Sequence, residues 1–516
     1  MTGKGFHLAV ALLGATAVLL YATRLGFAPI YLIHDEVNFS LQAASLADTG
    51  RDLNGRLLPV YFSEPEFTAG RDPMMIYATA AALKVLPLSE ASVRLPTALV
   101  GVLNILLVVW LVHLLFGDAR LSLAAGVMLA LSPGHFIHSR MALSVLYPVP
   151  FVIAWLIALR RIGDEPSRRM LFVAGAVLGL GVYGYLASMV MMPVYLLLTA
   201  LVLAERRRFK LVGWTAAGFA IVLVPIVLWT IAHPERYGDL MRAYRPTEVT
   251  GESTVADAAR VISSGSWRSK LSEWWMYFDP DYLFVSGDSS MTNSTRQAGL
   301  LPLALGVFLP IGIWRLARTG GFERLLLIGL ITAPLAVVLT GVLHLHRYRG
   351  MFVLPFAVVV ATYGLSVMWA SPRRIWRMAA TVLLLTAPIQ FAGFYRDYMG
   401  PYRERTSEWY GGNLRGALVD AIARPPASGE TYVSRAIPYA EVYWRFYSRA
   451  LHQATAPPLV PVGPGSEALR TASAGSVAIA SFNEPLVADL ERHGWRRGAI
   501  IAEPSGTPSF VVLRKP

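Results

Sequence analysis

The chain has 516 residues, of which 55% are hydrophobic and 15% are charged, and its mean hydropathy is +0.48. A soluble domain carries about a quarter charged residues, so this composition excludes the soluble globular class. The sequence contains no cysteine, which excludes disulfides, thiolate metal sites and cysteine nucleophiles.

Successive apolar runs predict eleven transmembrane helices. They lie at 6–23, 93–116, 120–133, 143–159, 170–186, 188–204, 211–231, 298–314, 325–343, 350–369 and 375–394. The run at 120–133 is short and ends at Ser132-Pro133-Gly134, which indicates a partial crossing. The apolar stretch 170–204 is too long for one helix. Gly184 and Pro193 within it indicate a tight hairpin of two spans.

Basic residues concentrate in alternate short loops, whereas the opposite short loops hold only Arg140, Arg347 and Arg349. The positive-inside rule therefore predicts a cytoplasmic N-terminus and a C-terminus on the outer side. This asymmetry accounts for most of the net charge of +13, so the charge does not indicate a nucleic-acid-binding surface.

The first outer segment, 24–92, carries two adjacent carboxylates, Asp35 and Glu36, which we call the acid pair. Ionisable groups at a membrane boundary are costly to place and indicate a functional site. Asp35 has the chemistry of a general base, and Glu36 is a candidate to hold an acceptor or to orient Asp35. In the competing interpretation, the acid pair simply caps the helix that follows. Phe39 and Leu41 predict that this helix is short, amphipathic and on the membrane surface.

A further helix is predicted to begin at Asp72-Pro73 and to run to about Val85, with the aspartate as N-cap. A second outer segment, 232–297, is a long loop rich in aromatic residues. The third, 397–516, which we call the tail, is predicted to be a small α/β domain beside a membrane domain of 1–396. Its predicted elements are a helix at 403–424, a strand at 431–435, a helix at 438–449, a Pro/Gly-rich link at 456–465, a strand at 477–481, a helix at 484–493, and strands at 498–502 and 508–513.

Six short motifs follow one another along the chain. They are His34-Asp35-Glu36, Arg71-Asp72-Pro73, Arg94-Leu95-Pro96, Ser132-Pro133 with Ser139-Arg140, Tyr277–Phe284 with Gly287-Asp288, and His346-Arg347 before Leu354-Pro355. Because these motifs occur in this order, residues from 1 to about 400 resemble polyprenyl-phosphate-sugar glycosyltransferases of the GT-C fold. The resemblance is closest to the bacterial relatives of protein O-mannosyltransferases and of lipid A aminoarabinose transferases.

The resemblance implies a mainly α, polytopic membrane protein of the GT-C type with about eleven transmembrane helices and a small C-terminal periplasmic α/β domain. It implies an enzyme of the bacterial cytoplasmic membrane that takes a sugar from a polyprenyl-phosphate donor. The implied acceptor is a hydroxyl of a lipid, a glycan or a protein, and the implied reaction inverts the anomeric carbon. We expect no cofactor, although the resemblance leaves a divalent metal open.

The resemblance also implies roles for individual residues. It makes Asp35 the base, and it makes Arg71 a contact of the donor phosphate. The chain departs from some relatives at Tyr147, where they have an aspartate before the proline, so acceptor identity and metal use do not carry over. We take Asp35 and Glu36 as catalytic candidates and assign no metal ligand. The candidate substrate-binding residues are His34, Arg71, Arg140, Tyr147, Asp281, Asp288, His346 and Arg347.

Two other classes of protein compete with this interpretation. In a polytopic transporter or lipid flippase, the intramembrane charges would line a substrate path, but such proteins often contain internal repeats and none is visible here. In a receptor-like module, the tail would bind a ligand. The outer arginines have a competing explanation as well, since their long side chains can extend to lipid headgroups.

Overall fold

We describe the fold from a computed structural model. The described residues are 3–64, 67–162, 167–233, 267–340, 347–426, 429–452 and 457–516. The chain divides into two compact units. The first unit comprises Met1–Thr23, Gly50–Ala78 and Arg94–Arg396, and the second comprises Arg24–Thr49, Thr79–Val93 and Asp397–Pro516. The second unit thus contains the tail together with two segments of the first outer segment, including the one that carries the acid pair.

The regular secondary structure of the described part up to residue 399 consists of helices and one hairpin. The helices are α1 (Gly3–Ala22), α2 (His34–Thr49), α3 (Pro73–Leu83), α4 (Glu90–Phe116), α5 (Ala119–Ala130), α6 (Pro133–Ser139), α7 (Val149–Ile162), α8 (Arg168–Gly181), α9 (Ser188–Glu205), α10 (Val212–Ala232), α11 (Trp267–Met276), α12 (Leu305–Leu316), α13 (Phe322–Thr332), α14 (Leu335–Thr340), α15 (Val353–Trp369) and α16 (Arg374–Met399). The hairpin consists of the antiparallel strands β1 (Phe62–Glu64) and β2 (Phe67–Arg71).

Six helical segments of the described part are long and apolar enough to cross a membrane. They are α1, α4, Ser144–Ile162, α9, Phe209–Ala232 and α16. Helices α5 and α6 are bent by 62° at Ser132 and form a broken span or a re-entrant loop, which gives up to seven spans. The bend agrees with the partial crossing predicted there.

The count of eleven spans is not confirmed. The predicted spans at 170–186, 298–314 and 350–369 correspond to helices of 14, 12 and 17 residues, namely α8, α12 and α15. The predicted span at 325–343 is divided between α13 and α14. The predicted orientation of the termini depends on an odd number of spans as well as on the basic residues, so it stays a prediction.

Glycines bring pairs of helices in the first unit into backbone contact. A Cβ atom added at Gly175 of α8 would overlap the carbonyl of Thr215, and one at Gly218 of α10 would overlap the carbonyl of Phe172. Gly312 of α12 and Gly364 of α15 approach the facing backbones in the same way. Small residues allow such close packing of membrane helices, where burial of apolar surface between helices gains little.

The tail has the α/β architecture predicted from its sequence. Its helices are α17 (Pro401–Thr406), α18 (Leu414–Ala423), α19 (Ala440–Ala450), α20 (Glu467–Thr471) and α21 (Pro485–Arg492). Its strands are β3 (Thr431–Ser434), β4 (Leu459–Val462), β5 (Val477–Ser481), β6 (Arg496–Ala502) and β7 (Pro508–Arg514). They form one sheet in the order β4-β3-β5-β7-β6, in which β3 runs parallel to β4 and β5 while β7 runs antiparallel to its neighbours.

Two predictions for the tail are wrong. The predicted helix 403–424 is interrupted at Gly411 and Gly412, whose φ angles of 82° and 70° lie in the left-handed region. The predicted link 456–465 contains β4, an edge strand. Its Pro461 hid it in the sequence, although an edge position is where a strand tolerates proline.

Candidate functional site

The acid pair lies in the first turn of α2, and its two carboxylates have different environments. Glu36 is fully buried, and its Oε2 accepts a hydrogen bond of 3.1 Å from the backbone N–H of Ile33, the residue before the helix. A glutamate at the third helical position that binds back in this way is half of a capping box. Glu36 therefore caps the N-terminus of α2.

The carboxylate of Asp35 is partly open to solvent. Its side chain is 27% exposed, and its Oδ1 lies 3.5 Å from Nε2 of His34, which is itself 37% exposed. The first turn of a helix favours negative charge, because the unpaired backbone N–H groups there point toward it. Of the two carboxylates, Asp35 is the one accessible to a substrate.

Helix α2 is buried on all its faces from Glu36 to Ala44, and this stretch includes the polar residues Asn38, Ser40 and Gln42. The prediction of an amphipathic helix on the membrane surface is therefore wrong. The spacing of its apolar residues predicts one face exposed to solvent. In the structure, the faces of the helix are packed against protein instead.

Side chains of the tail hold the backbone that leads into the acid pair. The Tyr31 hydroxyl donates to Oε2 of Glu503 at 2.9 Å, and the Tyr443 hydroxyl donates to the carbonyl of Leu32 at 2.9 Å. Burial, and next the bond to Glu503, raises the pKa of Tyr31 well above its usual range. Tyr31 thus stays a neutral donor, and residues 31–32 have fixed partners within the second unit.

A second set of bonds ties the tail to the start of α4. Glu90 accepts from the hydroxyl of Tyr447 at 2.7 Å and from the guanidinium of Arg415 at 3.1 Å. Burial, and then the charge of Glu90, raises the pKa of Tyr447 well above its usual range. The Arg415 guanidinium also lies 5.1 Å from the centroid of the Tyr31 ring, so the two sets of bonds are continuous.

The other candidate residues lie in the first unit. Arg140 is fully buried, and its Nη1 donates to the carbonyls of Tyr21 at 2.8 Å and of Thr23 at 2.9 Å. These carbonyls belong to the C-terminal end of α1, so Arg140 neutralises the negative end of that helix. This contact accounts for a basic residue on the predicted outer side without requiring a bound phosphate.

Asp72, from the motif Arg71-Asp72-Pro73, contacts Ser144, three residues before Tyr147. Its Oδ2 accepts a hydrogen bond of 3.0 Å from the hydroxyl of Ser144, and α3 begins at the next residue, Pro73, as predicted. Arg71 ends β2, and its side chain lies outside the described part of the structure. Tyr147 is buried, with its hydroxyl 3.5 Å from that of Thr97.

Asp288 and Arg347 lie near one another in the first unit. The Tyr282 hydroxyl donates to the carbonyl of Arg347 at 3.3 Å, and the Arg347 guanidinium lies 5.3 Å from the Tyr282 ring centroid. Burial raises the pKa of Asp288, while the N–H of Ser290 and the charge of Arg347 oppose the shift. Asp281 is exposed and accepts from the Ser286 hydroxyl at 2.8 Å. His346 lies outside the described residues.

The described residues contain no group of three or more His, Asp or Glu side chains able to hold a metal ion. The expectation that no metal or cofactor is required stays a prediction, as do the roles of the candidate substrate-binding residues.

Residues 68–230 match the family described as dolichyl-phosphate-mannose-protein mannosyltransferase. A comparison of the sequence with curated proteins gives no match. Among solved structures, the chain is similar to ArnT from Cupriavidus metallidurans bound to undecaprenyl phosphate, with a TM-score of 0.60 and 12% identity over 98% of this chain and 97% of that chain. The chain has the GT-C fold.

Two further structures share this GT-C fold with the chain. ArnT from Cupriavidus metallidurans in the apo state has a TM-score of 0.58 and 14% identity, over 99% of this chain and 98% of that one. The archaeal oligosaccharyltransferase AglB from Archaeoglobus fulgidus, in complex with an inhibitory peptide and a dolichol-phosphate, has a TM-score of 0.54 and 14% identity, over 92% of this chain and 69% of that chain. The resemblance inferred from the six motifs is confirmed.

Sequence reasoning missed the residues of this GT-C chain that support the acid pair. Glu90, Arg415, Tyr447 and Glu503 gave no signal, because each is a single polar residue without a motif around it. What distinguishes them is a hydrogen bond to a partner far away in the sequence. Glu503, for example, is 8% exposed although it follows the exposed residue Ala502.

Proposed function

We propose that this chain is an inverting membrane glycosyltransferase that moves a sugar from a polyprenyl-phosphate donor to an acceptor hydroxyl on the outer face of the cytoplasmic membrane. The observation that carries the proposal is the division of roles in the acid pair. Glu36 is buried and caps α2, which leaves Asp35 as a partly exposed carboxylate that can accept a proton. The GT-C fold, shared with a structure bound to undecaprenyl phosphate, supports a lipid-phosphate donor.

Asp35 acts as the general base in this proposal. The acceptor oxygen attacks the anomeric carbon while its proton passes to the carboxylate of Asp35. The bond from the anomeric carbon to the phosphate oxygen breaks, and both electrons of that bond leave with the lipid phosphate. Attack on the face opposite the leaving group inverts the anomeric carbon. A phosphate leaves readily, so the reaction needs no strong acid catalyst.

Arginine side chains stabilise the released phosphate. A guanidinium donates parallel hydrogen bonds to phosphate oxygens, and Arg71 and Arg347 are the residues we assign to this task. The family resemblance supports Arg71. The assignment of Arg347 is supported by its half-buried position at the start of the turn Arg347–Gly350. The turn and the nearby Tyr282 ring restrict the orientation of its side chain.

The test is a transfer assay with purified protein in detergent and radiolabelled polyprenyl-phosphate hexoses and pentoses, supplied with a lipid extract and cell-envelope glycans and proteins as acceptors. The proposal predicts that label moves to an acceptor as lipid phosphate is released. A flippase would instead move the donor lipid between the leaflets of vesicles and leave its sugar attached. That result would overturn the proposal.

The proposed orientation places the N-terminus in the cytoplasm and the tail outside. It rests on the distribution of basic residues, and the absence of native cysteines makes it straightforward to test. Cysteines introduced at Ser167 and Ser505, both exposed, should react with an impermeant thiol reagent from opposite sides of the membrane. Reaction of both from the outside of intact cells would contradict the orientation.

A further inference from the structure

The second unit contains a cleft beside the acid pair, which we call the aromatic cleft. Its volume is about 340 Å³, within the range of roughly 300–1,000 Å³ common for small-molecule sites. His34 contributes from the start of α2, and all the other residues that line the cleft, apart from Ile33, come from the tail. The lining side chains include His34, Glu408, Trp409, Tyr439, Tyr443 and Phe510.

Two of the rings that line the aromatic cleft are open to solvent. Trp409 is 54% exposed and Tyr439 is 41% exposed. Large aromatic side chains are usually buried, and exposed ones gathered in a concavity are typical of a binding surface. Tyr443 and Phe510 also line the cleft, and both are buried.

The backbone holds Tyr439 in an unusual conformation. Its φ angle is 58°, in the left-handed region that a bulky side chain rarely adopts. Its ring lies parallel to the His34 imidazole, with a centroid distance of 4.6 Å and an interplanar angle of 11°. Such strain persists where the surroundings impose it, and it is concentrated at functional sites.

His34 connects the aromatic cleft to the proposed chemistry. The same imidazole that stacks on Tyr439 has its Nε2 3.5 Å from Oδ1 of Asp35. A molecule held in the cleft therefore lies beside His34, the residue that precedes the proposed base, Asp35. Of the two substrates, the acceptor is the one that must come close to Asp35, because it gives its proton to that carboxylate.

The charge of the cleft disfavours the donor phosphate as its occupant. Glu408 is the one charged side chain among the described residues that line it, and neither lysine nor arginine is present. An anionic group would be repelled by this carboxylate, whereas the hydroxyls of a neutral sugar can donate hydrogen bonds to it. The flat apolar face of a pyranose ring matches the exposed faces of Trp409 and Tyr439.

We propose that the aromatic cleft binds a neutral sugar ring of a saccharide acceptor and presents its hydroxyl toward Asp35. The proposal rests on the proposed function for the direction of transfer, and it specifies the acceptor as a saccharide rather than a protein side chain. The tail is then the part of the chain that selects the acceptor.

The test separates saccharide binding from transfer. Saturation-transfer NMR on the full-length protein in detergent is run with methyl α-mannoside, chitobiose and lactose, and with the peptide Gly-Ser-Thr-Ala-Gly. At least one saccharide should give a signal. Asp35→Asn should retain that signal, so a failure of the proposed function, which is seen only in transfer, is distinguishable from a failure of this inference.

Variants of the cleft make the test specific. Tyr439→Gly removes the ring and suits the positive φ angle, and Trp409→Ala removes the indole at a residue that is 54% exposed, with little risk to folding. Each should weaken saccharide binding about fivefold, since an aromatic contact contributes on the order of 1 kcal/mol. Ile500→Ala, at a residue that is 52% exposed on β6 and does not line the cleft, is the matched control and should bind normally. The inference is overturned by binding of the peptide alone, by the absence of any saccharide signal, or by wild-type binding in both cleft variants.

Discussion

The hydroxyl of Tyr31 donates a hydrogen bond of 2.9 Å to Glu503, across 472 residues of sequence. The other oxygen of Glu503 accepts from the backbone N–H of Asn413 at 2.6 Å. Because Glu503 is buried, its carboxylate depends on these donors. Tyr31 precedes Asp35 by four residues, so the tail helps to position the proposed base.

Tyr31→Phe should lower both stability and turnover. The change leaves a buried carboxylate with one fewer donor, which costs about 1–3 kcal/mol, and it loosens the backbone before the acid pair. Thermal unfolding and the transfer rate are the measurements. Tyr183→Phe is the control, because that hydroxyl donates to the carbonyl of Val222 within the first unit and should affect stability alone. Wild-type unfolding and turnover for Tyr31→Phe would show that the bond to Glu503 does not matter.

Glu36→Gln should retain most of the transfer activity, whereas Glu36→Ala should be less stable by about 1 kcal/mol or more. The amide oxygen of glutamine can still accept from the N–H of Ile33 and close α2, while alanine cannot. The unfolding temperatures and transfer rates of both variants show whether Glu36 caps the helix or takes part in catalysis. Complete loss of transfer in a folded Glu36→Gln variant would make the charge of Glu36 part of the chemistry.

Arg140→Met should affect stability and Arg347→Ala should affect donor binding. Arg140→Met removes the donor to the end of α1, so it should lower the unfolding temperature and leave the affinity of the folded protein for donor lipid unchanged. Arg347→Ala should weaken donor binding, by on the order of 2–5 kcal/mol if the guanidinium is paired with a desolvated phosphate. Loss of donor binding by a stable Arg140→Met protein would instead support the substrate-binding role predicted from its sequence motif.

Asp288→Asn should become more stable relative to the wild type as the pH rises. Burial raises the pKa of Asp288 above the ordinary value of 3.8, so its contribution to stability is complete below that value and is lost as the pH rises through the folded-state pKa. Asparagine keeps an oxygen for the N–H of Ser290 and does not ionise. Unfolding temperatures of both proteins from pH 4 to pH 8 are the measurement. A variant that loses stability relative to the wild type at high pH would show that pairing with Arg347 outweighs burial.

Local features of the fold could be predicted from the sequence because they depend on neighbouring residues. Asp72-Pro73 marks the start of α3, and the stretch 170–204 does fold into two helices, α8 and α9. The acid pair is at a helix start, which was the competing interpretation, and for Glu36 the structure favours it. The two carboxylates differ in burial and in their partners, and neither property can be read from adjacent residues in a sequence.

Features that depend on distant residues could not be predicted. The carbonyls that Arg140 contacts are about 120 residues away, so its motif could not distinguish a helix cap from a phosphate ligand. The same holds for the grouping of Arg24–Thr49 with the tail, which arises from contacts such as that of Tyr443 with Leu32. The predicted spans at 170–186, 298–314, 325–343 and 350–369 are short or divided in the structure, because hydropathy marks apolar runs and does not fix where helices end.

The most direct test of the central claim is the transfer rate of Asp35→Asn. Asparagine has nearly the same size and cannot accept the proton of the acceptor hydroxyl, so turnover should fall by a factor of about 100 or more. Donor binding and the unfolding temperature should match the wild type, because Glu36 and the tail still hold α2. Wild-type turnover by purified, folded Asp35→Asn would contradict the account and remove Asp35 as the base.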